Sequence, residues 1–116
     1  MNALLLLAGL LATAAPPPEA ETLLPGVPAL IYAAPGRATT VLFRASEKVA
    51  AISLASPVLT YKYDRALNQL EITPAVRRGG VETNLNLRIG DNVYVLVVKV
   101  VEDVRAQYLR EFTLAG

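Results

Sequence analysis

The side chains able to do chemistry are few, and their spacing does not bring them together. Asp64, Glu71, Glu82, Asp91, Glu102 and Asp103 offer carboxylates, and Glu102-Asp103 is the only adjacent acidic pair. Acid–base work on one substrate needs two carboxylates that converge. Neighbours on an extended strand point to opposite faces, so this pair reads as a solvated strand end. Ser46, Ser53 and Ser56 have no histidine to activate them, because the chain has none, and none sits in a nucleophile-elbow motif. The absence of cysteine removes thiolate chemistry and disulfides together. No D-x-D-x-D spacing marks a calcium loop. Arg77-Arg78-Gly79-Gly80 lacks the strand–loop–helix setting of a phosphate loop and reads as a basic turn. Tyr61 and Tyr63 share a strand face, a pattern of sheet packing more than of a sugar platform. The expectation is a protein without catalytic residues, metal or cofactor, and with no small-molecule substrate.

Composition narrows the partners further. The chain has 116 residues, 53% of them hydrophobic and 18% charged, enough for one domain with one core. The formal charge is +1 and the basic residues are scattered, so no stripe exists to neutralise a run of phosphates. A nucleic-acid role is not expected.

The N-terminus carries an apolar run from Ala3 to Ala12, then Ala12-Thr13-Ala14 and three prolines. The run is too short to span a membrane, which takes about 20 residues. Small residues after it form an A-x-A-like cleavage site, and Pro16-Pro17-Pro18 forbids a continuing helix. Residues 1–14 are therefore expected to be a signal peptide. Residues 15–28 are expected to be a Pro-rich, irregular lead-in, and 29–116 a single domain in the periplasm or cell envelope.

From Ala29 onward the hydrophobic period is two. Val41 and Phe43, then Leu59, Tyr61 and Tyr63, then Leu70 and Ile72 each share a face, with Pro35-Gly36, Ser56-Pro57 and Arg78-Gly79-Gly80 as turns. The segment from Val104 to Leu114 fits a strand better than a helix, since Tyr, Phe and Thr favour strands. Six to eight short strands of this kind predict an all-β fold, an antiparallel, immunoglobulin-like β-sandwich.

Two consecutive strands differ in kind. Val81, Thr83, Leu85, Leu87 and Ile89 alternate with polar residues, which is a half-buried strand with one wet face. After Gly90-Asp91-Asn92, the stretch from Val93 to Val101 is apolar on both faces except at Lys99. Tyr94, Leu96, Val98 and Val100 form the unbroken set, the better candidate for the core. Val93, Val95 and Val97 form the set that Lys99 interrupts, the better candidate for an interaction surface. That second face needs a cover, either the lead-in and final segment of the same chain or a partner subunit.

The order of features resembles the N-terminal β domain of the TrbG/CagX-type proteins of conjugal transfer and type IV secretion systems. Thr83-Asn84-Leu85 at a strand start, the Gly90-Asp91 hairpin and Tyr94 in the return strand carry the resemblance, which covers roughly 39–101. It departs at Asn92-Val93, where the family places an arginine before that tyrosine. The resemblance implies a structural component that packs with other protein subunits of an envelope complex, copies of itself among them. It does not reach the second β domain with which that family engages lipoprotein and channel partners. Gly80 to Leu85 is also similar, more loosely, to a turn-strand of secretin-type pilus-assembly proteins. A stand-alone periplasmic immunoglobulin-like binding module is the alternative from another class.

Cleavage at the small-residue site puts the mature N-terminus at Ala15 or within a few residues of it. N-terminal sequencing of the cellular protein checks this, and an intact Met1 would remove the argument for export.

Overall fold

The computed structural model describes residues 20–115, so the proposed signal peptide lies outside the described residues. Nine strands follow in order: β1 (Glu21–Leu23), β2 (Ala29–Ala33), β3 (Thr39–Phe43), β4 (Val49–Leu54), β5 (Leu59–Asp64), β6 (Gln69–Pro74), β7 (Glu82–Ile89), β8 (Asn92–Val100) and β9 (Leu109–Leu114). A single 3-10 turn, Asp103–Arg105, precedes β9. The strands form two sheets, one ordered β1-β9-β3-β6-β5 and the other β2-β8-β7-β4. One cluster of buried residues draws on both: Val41, Phe43, Leu70, Ile72 and Phe112 from the first, Ile31, Leu85, Leu87, Leu96 and Val98 from the second. The architecture is all-β and sandwich-like.

The expectation of a wholly antiparallel arrangement is corrected. β1 and β3 both pair with β9 in parallel, and β2 pairs with β8 in parallel. The antiparallel pairs are β3–β6, β5–β6, β4–β7 and β7–β8. Only the antiparallel pairs β5–β6 and β7–β8 are joined by short turns, which are visible in sequence. Parallel neighbours are distant in the chain and leave no local signature.

The β7–β8 hairpin shows the local logic. Its two-residue loop is Gly90-Asp91, with φ +62° at Gly90, the residue that a II′-type turn asks for at its first central position. A β-carbon there would also lie 2.6 Å from Glu47 Oε2. Asn68 fills the equivalent role between β5 and β6 with φ 51°. Buried, it donates through Nδ2 to the carbonyls of Ala45 (3.2 Å) and Glu47 (3.0 Å) and accepts from the Tyr63 hydroxyl. Tyr63 in turn accepts from the Val49 amide at 2.9 Å, so one tyrosine and one asparagine hold the loop before β4.

Two expectations about the chain ends change. The lead-in is not irregular throughout, because Glu21–Leu23 is a strand and Leu23 is fully buried. The final segment is part turn and part strand. β9 lies between β1 and β3, which accounts for its imperfect alternation: its charged residues are paired inside the structure. Glu111 is buried and accepts from Arg44 Nε at 2.6 Å. Arg110, 10% exposed, donates through Nε (2.8 Å) and lies 2.6 Å through Nη2 from Glu21 Oε2. Its Nη1 donates to the Leu30 carbonyl and to Gln107 Oε1, both at 2.7 Å, and its guanidinium stacks 5.1 Å from the Phe112 ring centroid.

Arg110→Ala is expected to destabilise the domain by about 1.5–3 kcal/mol, the range for hydrogen bonds to a charged group. Arg37→Ala, whose 3.3 Å pair with Asp103 is exposed on both sides, should cost less than about 1 kcal/mol. Urea unfolding of the two variants checks the contrast, and equal losses would contradict it.

Candidate interaction surface

The side chains of β8 divide as their parity predicts. Tyr94, Leu96, Val98 and Val100 are buried between the sheets. Val93, Val95, Val97 and Lys99 point to the other side of the β2-β8-β7-β4 sheet, where Val93 is 38% exposed and Val95 and Val97 are half-buried. Register sets their neighbours. Leu30 of β2 pairs with Val97 and Tyr32 with Lys99. On the β7 side, Asn84 pairs with Val97, Asn86 with Val95, Arg88 with Val93 and Glu82 with Lys99. β4 completes the rows, with Ala51 beside Arg88 and Ser53 beside Asn86.

The outcome is an apolar stripe, Leu30 (41% exposed) with Val93, Val95 and Val97, against a polar strip from β7. Asn84 donates to Asn86 Oδ1 at 3.1 Å along that strip. A shallow groove of about 240 Å³ runs beside it, lined by Ala51, Ile52, Ser53, Asn86, Arg88 and Val93. Arg105 lies with its guanidinium 5.5 Å from the Tyr32 ring centroid, at the far end of the face.

The expected cover does not come from the final segment. β9 belongs to the opposite sheet, and the residues before it run along the β2 edge. There the Gln107 amide donates to the Tyr32 carbonyl at 2.8 Å, and Gln107 Oε1 accepts from the Tyr32 amide at 3.0 Å. The described part of the lead-in meets this face at its rim, where the Gly26 amide donates to the Val93 carbonyl at 2.9 Å. Among the described residues nothing lies across Val95 and Val97 strongly enough to bury them.

The four motif-like residues split between core and surface. Thr83, Leu85 and Tyr94 are buried, while Asn84 is on the outer strip. Thr83 Oγ1 accepts from the Ser56 amide at 3.2 Å. Tyr94 reaches from one sheet to the end of the other and donates to the Ala115 carbonyl at 2.7 Å. Each of the three buried residues has a structural task.

The remaining chemical candidates stay apart. Asp103 is held by Arg37 and accepts from the Tyr108 hydroxyl at 2.5 Å. That hydrogen bond, helped by slight desolvation and by the Asp103 charge, raises the Tyr108 pKa above its ordinary value. Tyr63 is tied to Asn68, whereas Tyr61 is 40% exposed, so the pair presents no common platform. Among the described residues no three acidic side chains converge to hold a metal ion. Arg77 and Arg78 are exposed in a turn whose Gly80 amide donates to the Val100 carbonyl at 2.8 Å. Sequence reasoning missed Glu111 and Arg110, because nothing local shows that their strand is central. No family model matches the chain, and no curated protein matches it.

The two faces of β8 should answer differently to mutation. Leu96→Ala removes a fully buried side chain and should cost roughly 2–5 kcal/mol. Val95→Asp places its charge on the outer face and should cost no more than about 1 kcal/mol, the span of strand propensities. Thermal and urea unfolding of the isolated protein read both. Unfolding by Val95→Asp as severe as by Leu96→Ala would mean that the outer face is covered within the chain.

Proposed function

We propose that this protein is a non-catalytic, exported structural component of an envelope-spanning secretion or conjugation apparatus and acts by packing against other protein subunits. The observation that carries the reading is the outer face of β8. A central strand that is apolar on both sides, with Val93 and Leu30 exposed and Val95 half-buried beside them, costs solubility unless something docks there. The apolar run followed by Ala12-Thr13-Ala14 supports export. The match of Thr83-Asn84-Leu85 and Tyr94 to the TrbG/CagX-type pattern supports that class of apparatus over a secretin-type pilus system. The absence of histidine and cysteine from the whole chain supports a role without catalysis.

A second reading keeps the same face but assigns it to a stand-alone, immunoglobulin-like binding module. The two-sheet architecture favours it, since such a module needs no neighbours to fold. The two readings differ in mass. An apparatus component should leave detergent-solubilised envelopes in a large assembly, and Val95→Asp should release it as a folded, small species. Size-exclusion of tagged protein from the native host tests this. A wild-type protein that elutes as a monomer from the soluble fraction would favour the binding module and remove the structural reading.

A further inference from the structure

The two sheets have four edges, and three of them are closed to further pairing. β1 carries Glu21, which is paired with Arg110. β5 carries Lys62 and Asp64. The outward backbone groups of β2 are taken by the chain itself: the Leu30 carbonyl by Arg110, the Tyr32 amide and carbonyl by Gln107. Short edges, charges and covering segments are the devices that keep sheet edges from pairing. β4 has a different device, a bulge between Val49 and Ala51, and beyond it carries neither charge nor cover. Its six residues, Val49–Leu54, include no charge and no proline.

The register identifies which groups are open. The Ala55 amide donates to the Asn84 carbonyl at 3.0 Å, so the odd-numbered backbone groups here face β7. Those of Ile52 and Leu54 then point away from the sheet, where no strand lies among the described residues. A bulge between Val49 and Ala51 turns the Val49 amide outward as well, and the Tyr63 hydroxyl accepts from it. The open stretch is thus limited to Ile52–Leu54 and its flanks.

We propose that β4 pairs antiparallel with β4 of a second copy of this chain, so that two four-stranded sheets become one of eight. The register that uses all the open groups sets Ile52 of each copy against Leu54 of the other. Four backbone hydrogen bonds result, two from each copy, and the twofold axis passes between the two Ser53 residues. In an isologous contact residue i of one copy meets j of the other and j meets i, and this one opposes no like charges within the strand. On the outer row Ser53 meets Ser53, and on the inner row Ile52 meets Leu54 beside the existing core. The uncharged, small outer side chains give no handle for a charged partner, which favours a self-pair over a strand of different composition. Two short strands bury less than the about 1,200 Å² of a standard stable interface, so the dimer is weak and concentration-dependent.

The proposal is separate from the outer-face contact, and the two fail separately. Sedimentation equilibrium of the full chain up to about 1 mM, the weak end of protein association, should show a monomer–dimer equilibrium. Ser53 is exposed, so Ser53→Lys leaves the core alone yet sets two ammonium groups face to face. It should weaken the dimer several-fold, up to about fivefold, as like charges directly opposite do. Val95→Asp should leave the dimer unchanged. In the cysteine-free chain, Ser53→Cys should form a disulfide-linked dimer under mild oxidation, because a non-hydrogen-bonded pair brings Cα atoms to about 4.5 Å. Thr60→Cys, on the charged β5 edge, should not. A wild-type chain that stays monomeric throughout overturns the proposal. So does a Ser53→Lys dimer as strong as wild type, or crosslinking of Ser53→Cys no faster than of Thr60→Cys.

Discussion

Arg110 is where both sheets and both ends of the described chain meet. A guanidinium at 10% exposure must be satisfied almost entirely by protein. It is: Glu21 comes from the N-terminal strand, Leu30 from the edge of the second sheet, and Gln107 from the segment before β9. Three pieces of chain with no common turn are placed relative to one another by one side chain. Its planar fork allows this, since separate N–H groups can serve partners in different directions. Phe112 lies under the guanidinium and stacks at 6.5 Å on Phe43, so the polar node rests on the core. The parallel insertion of β9 between β1 and β3 depends on that node more than on any local preference of the residues 109–114.

From this follows the unequal fate of two of the interior strands. β9 and β8 each have a neighbour on either side. β9 meets its position with paired charges, Glu111 with Arg44 and Arg110 with Glu21, and so reads poorly as a strand. β8 meets its position with valines and reads as a strand buried on both faces. Only its even-numbered face is buried, because the first sheet packs on that side alone. Apolar residues on the other side satisfy β-branched strand preference and half-cover one another across the sheet, which leaves a face that is neither core nor ordinary surface.

Most of the strands were legible, and for one reason. β3, β6 and β7 bury one face each, so Val41 with Phe43, Leu70 with Ile72, and Leu85 with Leu87 show the period of two directly. The hairpin at Gly90-Asp91 was legible because positive φ restricts residue choice. The pairing of distant strands was not. Nothing near Glu21 announces that Thr113 and Leu114 will lie beside its strand, and Pro25, Gly26 and Pro28 close by make the region look irregular. The candidate surface was half legible. Parity assigned Val93, Val95 and Val97 to one face and Asn84 and Asn86 to the wet face of the strand before the hairpin, but the contribution of Leu30 depends on a parallel register with β2, and that of Ala51 and Ser53 on the edge position of β4.

The distribution of polar interactions bears on how such a surface could work. The three ion pairs among the described residues, Arg37–Asp103, Arg44–Glu111 and Arg110–Glu21, all involve the segment from Asp103 onward. They fix the C-terminal part of the chain. The outer face of the other sheet has a different character: amides and a hydroxyl beside valines, with Arg88 at one end and Glu82 next to Lys99 at the other. Neutral polar groups are cheaper to desolvate than charges, and an amide can donate and accept at once. A partner there would be chosen by shape and hydrogen-bond pattern near the centre, with charge acting only at the ends. Long-range steering would then be weak, as the net charge of +1 also implies. Such a contact suits subunits already held near one another better than partners that must find each other by diffusion.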